Sequence, residues 1–205
     1  MAKTKKSGLV SRLTRNIDAW WPHVEAGIEA IVVTASGCGT LVEEYGHHLR
    51  LDPKYAKKAA KVSELFRDLS QVIGAEKDRL DVLLTQRPAK PTKVAFHSPC
   101  SLQHGLKLKN AVQPLLIAAG FELTPVQDAH LCCGSAGTYS ITKPKLSRQL
   151  RENKLANLQA GDPQLILSAN IGCLSHLQAG TSTVVATFTI STSPFSRNID
   201  TTTLP

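Results

Sequence analysis

Apolar residues recur at helical spacing near the start of the chain. Leu9, Leu13, Ile17 and Trp20 share one face and predict an amphipathic helix over residues 8–22, which Pro22 ends or kinks. The pattern then shifts to a short β-branched run, Ile28–Thr34, which predicts a buried strand, with Ser36-Gly37-Cys38-Gly39 as the turn after it. Leu41–Leu49 predicts a helix. Pro53 suits the first turn of another, running through Leu65 and Leu69 to about Ile73, and Lys77–Leu84 predicts one more.

From residue 93 onward, strand and helix patterns alternate. Lys93–His97, Phe121–Val126 and Gln164–Ala169 predict strands; Lys109–Ala119 and Lys145–Gln159 predict helices, the first stopped by Gly120 as a C-cap glycine. Strands that alternate with helices of this length predict βα units and an α/β fold: a Rossmann-like, mostly parallel sheet. The proline-bearing stretch 86–92 is the best linker candidate. It divides the chain into residues 1–85, the linker, a unit at 93–185, and a Ser/Thr-rich, irregular tail at 186–205.

Five cysteines, Cys38, Cys100, Cys132, Cys133 and Cys173, fall on this framework. Cys132 and Cys133 are adjacent and run into Gly134. Thirty-one residues separate Cys100 from Cys132, and thirty-nine separate Cys133 from Cys173. Cys100 and Cys173 each fall just past a predicted strand, and the Cys132-Cys133 turn also follows one. Parallel sheets bind ligands beyond their strand carboxyl ends, so four thiols from different loops can converge there. Converging thiolates select iron–sulfur clusters or zinc.

Composition narrows the reading. The 205-residue chain is 42% hydrophobic, which suits a packed core, and only 5% aromatic, which argues against a base-stacking nucleic-acid surface. The formal charge of +8 is spread over several segments and suits either solvated helix faces or docking to an acidic partner or anionic membrane. The cysteine count is odd. No apolar run follows Lys3, Lys5 and Lys6 as in a secretory signal, and no segment reaches the length of a membrane span. These features predict a reducing cytoplasm with thiols kept for metal. The sequence holds no Gly-x-Gly-x-x-Gly after a strand, no Walker A and no nucleophile elbow, so nucleotide binding and Ser-based hydrolysis have no support. Glu122 and Asp128 are isolated carboxylates that suit a surface better than catalysis.

The chain also echoes itself. Arg15-Asn16, a strand and Thr34-Ala-Ser-Gly-Cys38 resemble Glu152-Asn153, a strand and Ser168-Ala-Asn-Ile-Gly-Cys173. The expected architecture is therefore one complete cysteine-rich module preceded by the end of another.

The order Cys-x31-Cys-Cys-Gly-x38-Cys resembles the cysteine-rich domain of the heterodisulfide reductases and their relatives. The segments Phe96–His104, His130–Ser140 and Ser168–Gly180, with Arg15–Trp20 and Thr34–Thr40, resemble the iron–sulfur subunits of glycolate oxidase (glycolate dehydrogenase). The resemblance covers roughly residues 12–183. It implies an electron-transfer subunit, itself non-catalytic, that takes electrons from a flavin-bearing partner oxidising glycolate and passes them toward a membrane quinone pool. It also implies an iron–sulfur cluster, with a 4Fe–4S cluster as the expectation, held by Cys100, Cys132, Cys133 and Cys173. His176 stands where reductase relatives have a fifth cysteine, and it either ligates or hydrogen-bonds a cluster sulfur. His97, His104 and His130 flank the cysteine loops and are candidates to tune a cluster or relay protons. Cys38 lacks partners and reads as a helix-start cysteine. His47-His48 suits a helix end.

Three departures from the family pattern stand out: no ferredoxin-like cluster motifs, only the end of the first repeat, and an unlike tail after Ala186. They are expected of an N-terminally truncated or broken member. The resemblance places the protein in the cytoplasm, on or near the inner face of the membrane. Two rivals remain open, a structural zinc module and a non-functional fragment.

Overall fold

The computed structural model describes residues 8–85 and 92–187. Helix α1, Gly8–Glu25, buries Leu13, Thr14 and Ile17, while Leu9 on the predicted apolar face is exposed. Pro22 does not end it. The proline sits in the last turn, where its missing N–H costs a single helical bond, and the helix runs on until Gly27 takes a positive φ.

Strand β1, Ile31–Val33, leads into α2, Ser36–Glu43. The predicted Ser-Gly-Cys-Gly turn is thus the first turn of a helix, and Cys38 is exposed on it. After α3, Tyr45–His48, and α4, Ala56–Leu65, comes a strand that the sequence pattern hid inside one long helix: β2, Phe66–Asp68, paired in parallel with β1. Asp68 ends that strand and caps α5, Leu69–Ala75. Its Oδ1 accepts from the Ser70 amide at 2.9 Å, and Gln71 Oε1 accepts from the Asp68 amide at 2.9 Å. This reciprocal pair breaks the helix in two. Helix α6 is Lys77–Thr85. Residues 86–91 of the proposed linker lie outside the described residues.

The second half is the expected α/β unit. Strands β3 (Thr92–His97), β4 (Phe121–Leu123), β5 (Leu165–Ser168) and β6 (Val185–Thr187) form one parallel sheet in the order β4-β3-β5-β6. Between them lie a π-helical turn, Ser101–Gly105, and helices α7 (Gln113–Ala118), α8 (Tyr139–Thr142), α9 (Pro144–Gln159) and α10 (Ile171–Gln178). Gly120 takes the positive φ expected of a C-cap. Strand β6 has no counterpart in the sequence pattern and takes in Ala186 and Thr187, which that pattern assigns to the irregular tail. The rest of that tail lies outside the described residues.

The sheet separates two cores. Val94, Phe96, Leu165 and Leu167 face Leu13, Ile17, Val42, Phe66 and other residues of the first half. Ala95 and Ile166 face the other way, onto Leu155, Leu158, Leu177 and Cys133. Alternation along β3 and β5 follows from the two-residue strand period, and burial on both faces explains their continuous apolar reading. The echo in the sequence has a counterpart in space: β1 then α2 follows the same course as β5 then α10, with Cys38 and Cys173 each third in their helix.

Candidate metal centre

Cys100, Cys132, Cys133 and Cys173 line one cavity of about 380 Å³, together with Ser101, Ser135, Ala136, Gly137, Asn170 and Gly172. The convergence expected from the sheet is present. Cys100 follows β3 and sits immediately before the π-helical turn, and Cys173 lies in the first turn of α10. The adjacent pair does not directly follow β4, as the sequence pattern suggested; residues 124–131 intervene as an irregular loop.

That loop is held by buried polar groups. Gln103 Nε2 donates to the carbonyls of Ser98 at 2.6 Å and Ala129 at 3.0 Å, tying the Cys100 loop to the Cys132 loop. Lys154 of α9 is only 2% exposed, and its Nζ donates to the carbonyls of Asp128 at 3.1 Å and Ala129 at 3.0 Å. Among the groups sequence reasoning missed, this buried ammonium is the most consequential. Helical periodicity places Lys154 beside the buried Leu155, but only the three-dimensional contact shows why a charge tolerates that position. Burial pulls Lys154 below the ordinary lysine range, while the nearby Cys100, Cys133 and Cys132 and the carboxylate of Asp128 act in the opposite sense.

Gly134 makes the tight turn after the pair. Its φ is +88°, and its amide donates to Cys132 Sγ at 3.3 Å. The Ser135 amide serves Cys133 in the same way. Asn170 caps α10, its Oδ1 accepting from the amides of Gly172 at 2.9 Å and Cys173 at 3.3 Å. Its Nδ2 reaches Ser101 Oγ at 3.4 Å, and Ser101 Oγ in turn lies 2.8 Å from Ser36 Oγ. The start of α2 therefore buttresses the loops that carry Cys100 and Cys173, which gives the first half a structural part in the site. Cys38 itself does not line the cavity.

The thiols are mutually hydrogen-bonded. Cys100 donates to Cys132, and Cys133, placed beside both Cys132 and Cys173, has one proton to share with either of them. These bonds push the donors up: Cys100 through its bond to Cys132 and then burial, Cys133 through its bonds to Cys132 and Cys173 and then burial. The acceptors move down. Cys132 falls to about 2, chiefly through the bonds from Cys100 and Cys133, and Cys173 falls through the bond from Cys133. Thiolate character in the metal-free site thus rests on Cys132 and Cys173, and thiolate is the form that binds metal.

The histidines divide. His176 Nε2 lies 3.2 Å from Ser147 Oγ on α9, which engages that nitrogen. His104 Nε2 lies 3.4 Å from the His130 carbonyl at the loop. His97 is 1% exposed; burial, then Lys154, lowers its pKa to about 3. One of its ring nitrogens and the sulfurs of Cys133 and Cys173 lie within 4.8 Å of one another.

Fold and site together define a thiol-rich α/β module whose four sulfurs suit a soft-metal group such as an iron–sulfur cluster. Residues 94–178 match the cysteine-rich domain (CCG) family. Across a longer stretch the chain is similar to the glycolate oxidase iron-sulfur subunit of Escherichia coli (strain K12), with 51% identity over 176 residues; the match covers 86% of this chain and 42% of that protein. The probable glycolate oxidase iron-sulfur subunit of Bacillus subtilis (strain 168) is 31% identical over 156 residues, covering 75% of this chain and 34% of that protein. Lactate utilization protein A of Geobacillus kaustophilus (strain HTA426) is 29% identical over 150 residues, covering 71% of this chain and 60% of that protein. The chain thus spans less than two thirds of each of these relatives.

Proposed function

We propose that this chain supplies a cluster-binding part of an iron–sulfur electron-transfer subunit of a glycolate, or other 2-hydroxy acid, oxidase. The observation that carries the reading is the gathering of Cys100, Cys132, Cys133 and Cys173 around one cavity. The similarity to the Escherichia coli iron-sulfur subunit supports the assignment to glycolate oxidation. The cysteine-rich unit in this reading is residues 93–185.

Oxidation of a 2-hydroxy acid to its oxo acid releases two electrons and two protons, which a flavin on a partner protein accepts together. A cluster here would supply a one-electron carrier between that flavin and the next acceptor. The chain's own residues prepare the site. Cys100, Cys132, Cys133 and Cys173 offer the thiolates. The amides of Gly134 and Ser135 donate to sulfur and spread its negative charge. Lys154 sets a cation behind the loop. Leu155, Leu158 and Leu177 close the back of the site with apolar surface and keep water out. No helix among the described residues is long and apolar enough to cross a membrane. We place the chain on the cytoplasmic side, meeting a membrane acceptor through its complex.

Anaerobic reconstitution with iron and sulfide tests the reading. The expected product is coloured, contains iron and inorganic sulfide together, gives an electron paramagnetic resonance signal, and is reduced by a 2-hydroxy acid only when the flavoprotein is present. Zinc without sulfide in anaerobically prepared protein would replace this reading with a structural zinc site. A chain that takes up neither metal would end both.

A further inference from the structure

The four thiols leave one buried group of the site unexplained. His97 ends β3 and faces Ser168 at the end of β5. Its Nδ1 lies 3.0 Å from Ser168 Oγ, and Ser168 is fully buried. Its Nε2 is buried and has no hydrogen-bond partner. An unsatisfied buried polar atom is destabilising, so this nitrogen calls for a partner that the described residues do not provide.

A His97 ring nitrogen, Cys133 Sγ and Cys173 Sγ lie within 4.8 Å of one another. Metal–donor bonds of nitrogen and sulfur run roughly 2.0–2.3 Å. Donors this close can share one ion, or occupy neighbouring irons of one cluster, after a small adjustment. The contact at Nδ1 is the kind that orients a ligating imidazole: the nitrogen away from the metal bonds a fixed polar group, which sets the ring plane and the tautomer. His176 also has one ring nitrogen held, by Ser147, but among the described residues it is His97 whose ring nitrogen gathers with the sulfurs.

We propose that His97 is a fifth protein ligand of the cluster, bonding iron through Nε2 while Ser168 holds Nδ1, so that the site consists of four cysteines and one histidine. This rests on the cluster reading above. It places the nitrogen donor at the end of β3, whereas the family resemblance offered His176 as either a ligand or a hydrogen-bond partner of a sulfur. In this arrangement the Nδ1 proton is donated to Ser168 Oγ. In the opposite tautomer Nε2–H would point at the sulfurs, and His97 would only hydrogen-bond them.

The two arrangements separate by spectroscopy. Protein grown on histidine carrying the heavy nitrogen isotope is reconstituted anaerobically with iron and sulfide, poised in its paramagnetic state and examined by pulsed electron paramagnetic resonance. The expected result is the strong hyperfine coupling of a directly bonded nitrogen. It should be absent in His97→Cys, which keeps iron and sulfide because a thiolate takes the position, and unchanged in His176→Gln. A loaded wild-type protein showing only the weak coupling of a hydrogen-bonded nitrogen overturns the ligand assignment and leaves the cluster reading standing. So does a strong coupling that survives in His97→Cys or disappears in His176→Gln. Should His97→Cys fail to fold, the wild type and His176→Gln decide the matter between them. Wild-type protein that binds no iron and sulfide overturns both readings at once.

Discussion

Gly134 and Ser147 interlock where the Cys132-Cys133 turn meets the first turn of α9. Ser147 Oγ donates to the Gly134 carbonyl at 2.8 Å, and a Cβ added to Gly134 would stand 2.4 Å from the Ser147 carbonyl oxygen. Ser147 is 1% exposed and its backbone belongs to a helix, so it has no room to yield. The turn that aims two neighbouring thiols into one cavity is thus fixed both by its own positive φ and by the helix beneath it.

Gly134→Ala should therefore be costly. The left-handed conformation alone is worth roughly 1–3 kcal/mol for a residue with a side chain, and the collision with Ser147 adds to it. The expected outcome in urea denaturation of metal-free protein is a loss at or above the top of that range, with little iron retained after reconstitution. Gly137→Ala, which shares a positive φ but meets nothing within 4 Å, should cost distinctly less. Equal losses in the two variants would show that the contact with Ser147 contributes nothing.

Asn170→Ala removes the side-chain cap from α10. Loss of such a cap costs about 1 kcal/mol, and here the amide released first belongs to the turn that carries Cys173. Asn170→Asp keeps the accepting oxygen and should hold most of the stability. It loses the Nδ2 contact with Ser101, which isolates the link between the two cysteine loops. Thermal melts give the first effect. The rate of iron loss to a chelator gives the second, and it should be faster in both variants than in wild type.

Much of this arrangement could be read from the chain, for identifiable reasons. Strands β3 and β5 and helix α9 emerged from periodicity because each is buried in a simple pattern. The cysteines emerged because their order is unusual and strand ends gather loops. Strand β2 did not, since Val62, Leu65 and Leu69 keep a helical spacing across it; the Asp68–Gln71 capping pair was the local signal available. The histidine assignment could not be settled by spacing. His176 and Cys173 are close in sequence and share a helix, yet the ring turns to Ser147. His97 gains its position from the pairing of β3 with β5, a register that places Ser168 opposite it and that no local pattern encodes.

His97 should leave a mark on stability as pH falls. Burial and Lys154 lower its pKa from the ordinary 6.5 to about 3 in the folded, metal-free protein. Between these values the unfolded chain binds a proton that the folded chain does not, so stability falls as pH drops from about 6.5 toward 3 and is unaffected by this group above that window. The slope contributed approaches about 1.4 kcal/mol per pH unit inside the window. His97→Gln cannot take up the proton. The difference between wild type and variant, measured by denaturation at closely spaced pH, should shrink on acidification and be constant above neutrality. A difference that does not vary with pH would show that His97 is not held neutral by its surroundings.

Cys38→Ser and Cys133→Ser should behave oppositely. Cys38 is exposed on α2 and outside the cavity, whereas Cys133 is 1% exposed and lies among the other sulfurs. Iron and sulfide per chain should match wild type in Cys38→Ser and fall severalfold in Cys133→Ser. Loss of iron in Cys38→Ser would mean that the first half contributes a ligand as well as support.

Lys154 joins stability and redox chemistry in one side chain. Replacing it with Met keeps the apolar stem near Leu155 and removes the ammonium. Two carbonyls, of Asp128 and Ala129, then lose their donor, which predicts a destabilisation of about 1–3 kcal/mol. The positive charge that Lys154 sets near the thiolates also disappears. At the effective dielectric of a protein interior, a unit charge several ångströms away contributes roughly 1–3 kcal/mol. A reduced cluster carries one more negative charge than an oxidised one and so depends more on this cation. Lys154→Met should therefore shift the reduction potential to more negative values, and the shift should persist in high salt because the charge is buried. Lys145→Met, at an exposed position on the same helix, should move the potential little, and that small shift should vanish with salt. Potentiometric titration of both variants at low and high ionic strength reads the contrast directly. Equal shifts in the two would show that Lys154 anchors the Asp128–Leu131 loop without setting the electrostatics of the site.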